Sequence, residues 1–281
     1  MIKDNQKYFN RLHVWLDMFI TIISYITAWW LRLVVFSDEG AGVLSQETYF
    51  GALLVIVPVY MVLYSVLNLY KSKRYSSNVR EIFDIVRANS IGLLLFFVAL
   101  YIVNEPNFSR SMIFIFGALN TLFMILMRSF IRVGLRNVRK KGYNRKYILL
   151  VGYSRAAEEY IDRIMANPEW GYVVRAILDD TVPAGTIYRG VKVVGRIDNL
   201  YYVLPENKLD EIAITLSLKD YDRLEEIVAF CEKSGVHTKF IPDYNSVIPT
   251  RPYTEDLYGL PVINIRRVPL TNTLNWVIKR I

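Results

Sequence analysis

This sequence predicts an α-helical membrane bundle of four transmembrane helices followed by an α/β domain built on a parallel sheet. Three observations predict it. Four apolar segments, each near the ~20 residues with which a helix crosses ~30 Å of hydrocarbon, fill the first half of the chain. Lysines and arginines gather beside alternate ends of those segments. From Lys146 onward, short apolar runs alternate with helical patterns, as strands joined by crossover helices do.

The bulk numbers agree. A chain of 281 residues has a prior of roughly two domains. At 53% hydrophobic residues it is too apolar for an ordinary soluble protein. A net charge of +8 could suit nucleic acid, but the surplus lies beside apolar segments, at Lys71 to Arg87 and Arg128 to Lys146. Positive-inside flanks account for it, so the expected partner is membrane lipid and not nucleic acid. With Cys231 as the one cysteine, no internal disulfide and no cysteine-based zinc site can form. His13 and His237 are the two imidazoles, and no carboxylate spacing proposes a metal site. The first apolar run has no small-residue cleavage site after it, so it reads as a retained span.

The spans are expected at about Val14 to Val35, Tyr49 to Leu69, Val86 to Val103 and Met112 to Ile131, the last two with Arg87 and Arg128 snorkelling at their ends. Lys3, Lys7 and Arg11 precede the first span, and Lys71, Lys73, Arg74 and Arg80 separate the second from the third. Ser37 to Thr48 carries Asp38, Glu39 and Glu47 without a cation, and Asn104 to Ser111 carries only Glu105 and Arg110. Both termini are therefore expected in the cytoplasm. Asp17 and Arg32 lie near opposite ends of the first span, where their charges are expected to reach headgroups, and no further acid continues a proton relay. Pro58 is expected to kink the second span. Trp15, Trp29, Trp30 and Tyr70 suit interfacial anchoring.

In the soluble half, Tyr147 to Val151 (YILLV) has the continuous apolar character of a buried parallel strand. A helical pattern at Ala156 to Met165 follows, then strands at Val173 to Asp179, Val191 to Val194 and Glu211 to Thr215. Leu218 to Ser234 reads as an amphipathic helix with Leu224, Ile227, Val228 and Cys231 on one face and Gly235 as its stop. Val236 to Ile241 is the last strand of a doubly wound, Rossmann-like sheet.

The turn after the first strand is Gly152-Tyr153-Ser154-Arg155-Ala156-Ala157. A dinucleotide fingerprint has G-x-G-x-x-G/A here, its glycines admitting a pyrophosphate to a helix N-terminus. Gly152 and Ala157 match, whereas Ser154 replaces the middle glycine and its Cβ obstructs that approach. Asp179 stands where a ribose-binding acid would. Two readings stay open: a nucleotide or nucleotide-sugar site built on Gly152, Ser154, Arg155 and Asp179, or a turn kept for packing. No catalytic constellation emerges. Glu158 and Glu159 point apart on their helix, Glu225 and Glu226 form a solvated face, His237 reads as a strand-edge residue, and Ser154 lacks an activating partner.

After Pro242 the chain passes through Leu257 to Ile265 (LYGLPVINI), read as a turn and a short strand, to RVPLTNTLNWVIKRI, which stops without a cap. The four spans, KYILLVGYSRAAEEY, DLYGLPVINI and this junction together resemble the large polyprenyl-phosphate hexose-1-phosphate transferases, bacterial membrane enzymes that begin capsule, O-antigen and exopolysaccharide repeats. The resemblance covers the whole chain. It implies a four-helix transmembrane domain at 1–142, a cytoplasmic Rossmann-like domain at 143–265, and at 266–281 a junction toward a catalytic domain. In the family, catalysis rests on a re-entrant helix and, beyond it, an Asp-Glu pair whose aspartate attacks the β-phosphate of the sugar nucleotide, with magnesium balancing charge. None of those positions lies within these residues, so no catalytic residue and no cofactor is carried over. The implied location is the bacterial inner membrane, with undecaprenyl phosphate and UDP or a UDP-sugar as partners, and the segment is expected to be inactive alone. Two alternatives stand beside it: the N-terminal part of a membrane-bound nucleotide-sugar 4,6-dehydratase or epimerase, and a non-catalytic module that senses a nucleotide or forms a homodimer through the segment around Tyr244 to Tyr258.

Overall fold

The computed structural model describes residues 6–35, 44–70, 74, 78–105, 107–200, 202, 209–244, 248 and 252–265. The expected junction at 266–281, Lys3, Lys71, Lys73 and the acidic loop residues Asp38 and Glu39 lie outside them. The chain divides into two units, Met1–Asn144 and Arg145–Ile281.

In the first unit, α1 (Gln6–Trp30) continues as a π-helical turn over Leu31–Val35, and α2 (Gln46–Val66), α3 (Asn78–Val103) and α4 (Arg110–Lys140) follow. Ser45 and Ser109 cap α2 and α4 by accepting from Thr48 N at 3.3 Å and Met112 N at 3.4 Å. All four helices are long and apolar enough to cross a membrane. At 31 residues α4 spans about 46 Å, longer than the ~30 Å hydrocarbon layer. Its last turns carry Arg132, Arg136, Arg139 and Lys140.

The bundle places large apolar residues outward, among them Trp15, Leu54, Val62, Leu94, Phe114 and Leu126. Lipid replaces water as their solvent, so packing and hydrogen bonds must hold the interior together. Phe116 meets Tyr25 and Tyr60 edge-on, each at 5.6 Å. Gly92 lies against the Tyr60 ring and Gly117 against Leu93, where a Cβ would collide. Asn120 of α4 donates from Nδ2 to Tyr64 OH at 3.0 Å and to Asn89 Oδ1 at 2.9 Å. Tyr64 OH donates to the same Asn89 oxygen at 2.7 Å. Three helices thereby share one buried polar triad.

The expectation that Asp17 and Arg128 reach headgroups is corrected. Asp17 is fully buried, Arg128 is nearly so, and Arg128 Nη2 donates to Asp17 Oδ2 at 2.6 Å. Arg128 Nη1 also donates to Leu69 O at 3.0 Å. Once both charges are withdrawn from water, pairing makes their burial far less costly than burying either one alone.

In the second unit, β1 (Lys146–Val151), β2 (Tyr172–Leu178), β3 (Ile187–Tyr188), β4 (Val191–Gly195), β5 (Glu211–Ile214) and β6 (His237–Phe240) form one sheet in the order β3-β4-β2-β1-β5-β6. Every pairing is parallel except β3 with β4, an antiparallel edge that the sequence reading omitted. Alternate residues of β1 enter opposite cores. Ile148 and Leu150 pack toward Ala157, Ile161 and Ile164 of α5 (Arg155–Ala166), while Leu149 and Val151 share a core with Ile227 and Cys231 of α6 (Leu224–Lys233). The sheet is thus covered on both faces, as a doubly wound domain requires.

The helix expected over Leu218 to Ser234 is two elements, a 3-10 stretch at Leu218–Arg223 and then α6. Gly235, at φ +68°, lies just past the end of α6, where its N–H meets Glu232 O at 3.1 Å. Burial pushes the Cys231 thiol above its ordinary range, so at neutral pH it is an inert apolar filler. LYGLPVINI holds the expected turn, at Tyr258 and Gly259 with both φ positive, and the expected short strand, β8 (Leu260–Asn264); the strand that β8 pairs with in a hairpin, β7 (Tyr253–Leu257), was not anticipated.

Candidate site at the turn after the first parallel strand

β1 ends at the centre of the sheet, between β2 and β5, where the direction of winding reverses. Ligands of open α/β sheets bind in the crevice outside the carboxyl ends of the strands at such a point. Gly152, Ser154 and Asp179 are all brought there, and all three are nearly buried.

Gly152 has φ +97°, and a Cβ on it would come within 2.7 Å of Leu216 Cα. Its glycine is required both by that left-handed backbone and by the main chain following β5. Ser154 caps α5, accepting from Ala157 N at 3.4 Å, and its hydroxyl donates to Thr215 O at 2.7 Å. Thr215 Oγ1 donates back to Gly152 O at 2.7 Å. Reciprocal hydroxyl–carbonyl bonds therefore stitch the loops after β1 and β5 together.

Asp179 turns its carboxylate inward. Oδ2 accepts from Tyr153 N at 2.6 Å, while Oδ1 accepts from Thr181 N at 2.8 Å, Thr181 Oγ1 at 2.7 Å and Val182 N at 2.7 Å. Arg155 is not drawn into this cluster. Its side chain is 65% exposed and pairs with Glu159 at 3.6 Å, one turn along α5. Tyr153 OH donates to Glu158 Oε1 at 2.5 Å, and burial together with that bond pushes the phenol up to about 12.

Two further groups were missed in the sequence because their partners are distant in the chain. Asp180 accepts from Ile197 N at 3.1 Å and pairs with Arg223, which also reaches Asp198 at 2.8 Å. A cavity of about 220 Å³ beside them is lined by Ile197, Asp198, Leu200, Arg223, Glu226, Ile227 and Phe230. At the amino ends of the strands, Glu211 is held between Lys146 Nζ at 2.9 Å and Lys239.

Replacing Gly152 with alanine is expected to destabilise the domain by about 2 kcal/mol, combining backbone strain with overpacking against Leu216. A chemical denaturation series on the purified protein measures it, and an unchanged midpoint would contradict the close approach.

A UDP-glucose:undecaprenyl-phosphate glucose-1-phosphate transferase of Klebsiella pneumoniae is 26% identical over 230 residues, covering 81% of this chain and 48% of the relative. Its namesake in Escherichia coli (strain K12) is 22% identical over 86% of this chain and 51% of its own length. The Xanthomonas campestris pv. campestris protein of that name is 22% identical over 81% of this chain and 50% of its own. The chain thus spans about half the length of the curated relatives it matches. A solved chain described as a Rex-family repressor overlaps 85% of this chain and 93% of its own, but 13% identity and a TM-score of 0.32 make that likeness too slight to assign anything. The family described as a CoA-binding domain matches residues 65–242, well over half of the chain, and that domain is found in the sugar-1-phosphate transferases just described: this chain belongs to it.

Proposed function

We propose that this chain is the membrane-anchoring and Rossmann-like portion of a bacterial enzyme that moves a sugar-1-phosphate from a UDP-sugar to undecaprenyl phosphate, the opening step of capsule, O-antigen or exopolysaccharide assembly. The observation that carries this reading is that the relatives of that activity match four-fifths or more of this chain while only half of their own length is used. On this proposal, and as the family resemblance implies, the chemistry belongs to the other half, where the UDP-sugar, the lipid phosphate and magnesium would meet. Four apolar helices supply the anchor. The basic end of α4 leads directly into β1, and a cationic flank of this kind favours the cytoplasmic face of an inner membrane, the compartment of activated sugars.

Two assays test the proposal together. The 281-residue protein, given UDP-glucose, undecaprenyl phosphate and magnesium, is expected to release no UMP above the lipid-free blank. A chimaera joining it to the second half of the Klebsiella pneumoniae relative is expected to form lipid-linked glucose phosphate in membranes. Turnover by the 281 residues, or an inserted but inactive chimaera, would count against the reading.

A further inference from the structure

The family's description names CoA, an adenine nucleotide whose diphosphate would be expected at a strand-turn-helix of this kind. The residues present do not fit such a group, since each of the three places it needs is filled by the chain itself. The crevice between the ends of β1 and β5 is occupied by the contact of Gly152 with the Leu216 backbone and closed by the Ser154–Thr215 and Thr215–Gly152 hydrogen bonds. At the middle-glycine position of the turn stands Ser154, whose hydroxyl is already used as a cap. The acid that would hold a ribose instead accepts four hydrogen bonds from its own chain, one of them from the turn's Tyr153 N–H.

We propose that the carboxylate of Asp179 is a built-in anion for this turn. It takes the negatively charged place that a nucleotide phosphate would share, and makes the turn a self-liganded lock joining β1, β2 and β5. A backbone N–H bonded to a carboxylate at 2.6 Å has no donor left for a phosphate oxygen. A phosphate brought beside that buried carboxylate would also meet like charge. The neighbouring Asp180–Arg223 pair and its bond to Ile197 N close the adjacent strand ends in the same manner. The domain keeps the chain path of a nucleotide binder while the ligand's bonds are made internally.

Titration of the full 281-residue protein in detergent with CoA, ADP and UDP tests this, read by calorimetry and by the amide signals of ¹⁵N-tyrosine-labelled protein. The unmodified protein is expected to give no heat and no Tyr153 shift at millimolar nucleotide. In Asp179→Asn, the amide oxygen can keep the Thr181 and Val182 bonds while its NH₂ faces the Tyr153 N–H, a donor against a donor. That releases the N–H and removes the charge, so ADP is expected to bind at least tenfold more tightly than to the unmodified protein. Nucleotide binding by the unmodified protein with a Tyr153 shift would overturn the proposal. So would a folded Asp179→Asn protein, by circular dichroism, that binds ADP no better. If that variant does not fold, the unmodified titration decides alone. Neither result depends on the sugar-transfer assays.

Discussion

Asp17→Ala is expected to destabilise the membrane unit by about 4 kcal/mol, the cost of leaving one partner of a buried ion pair without the other. Arg128 is 7% exposed and holds Asp17 at 2.6 Å, and its other terminal nitrogen reaches Leu69 O. Its neighbour Glu81 lies 3.9 Å away and is itself paired with Arg132, so the lost charge is not readily replaced. Arg128→Lys is expected to fail nearly as badly, because one ammonium cannot reproduce the fork that joins Asp17 to the Leu69 carbonyl. The double variant Asp17→Leu with Arg128→Met removes both charges at similar volume and is expected to recover most of the loss. Thermal loss of helical circular dichroism from detergent-solubilised protein measures all three. Equal destabilisation of the single and double variants would show that shape, and not uncompensated charge, sets the cost.

Glu211→Ala is expected to cost about 3 kcal/mol in the soluble unit by leaving two cations facing each other at the base of the sheet. Glu211 is nearly buried between Lys146 and Lys239, while Tyr172 OH approaches it at 3.4 Å and Lys239 lies 5.3 Å from the Tyr172 ring. The lysine side chains are 21% and 26% exposed, so each can turn partly to water, which holds the cost toward the lower end for a buried pair. Burial alone would raise the Glu211 carboxyl, but the bonds to Lys239 and Lys146 outweigh it and hold the group below the ordinary carboxylate range. Burial would likewise lower Lys239, yet its bond to Glu211 and the neighbouring Tyr160 hold it above the ordinary lysine range. The signs follow. The carboxylate's contribution is present above the ordinary glutamate range and lost as pH falls through the depressed value. That of Lys239 is present below the ordinary lysine range and lost as pH rises through the raised value. Stability from this cluster is thus expected to be flat between about pH 5 and 9, and to fall outside that window. Melting curves across pH should show the two shoulders, and Glu211→Ala should flatten both.

Much of the fold could be read from residue order. YILLV and EIAIT announce buried parallel strands because a strand covered on both faces has no polar side to alternate with. Other elements gave no such pattern. Ile187–Tyr188 is too short to show a period, and Tyr253–Leu257 is mostly exposed, so its composition carries no trace of a core. Leu218 to Ser234 read as one helix because its apolar period is real from Leu224 onward; the preceding Lys219, Asp220 and Asp222 bury nothing, and the chain there winds into the tighter 3-10 form. At the candidate site, Gly152, Ser154 and Asp179 could be singled out by motif. Thr215 and Leu216, which close the turn, could not, since they lie some sixty residues away.

By itself the order of amino acids determined four greasy helices, a cationic end on the last of them, and a twice-covered sheet after it. Transfer of apolar side chains out of water is non-directional and nearly additive along the chain, so local counting suffices for these. Only the tertiary structure decided that Asp17 faces Arg128 across 111 positions, that Asn120 completes a triad with Tyr64 and Asn89, and that Asp179 bends back onto Tyr153. Hydrogen bonds and ion pairs depend on distance and angle between groups that folding alone brings together, and nothing in the spacing of letters records either.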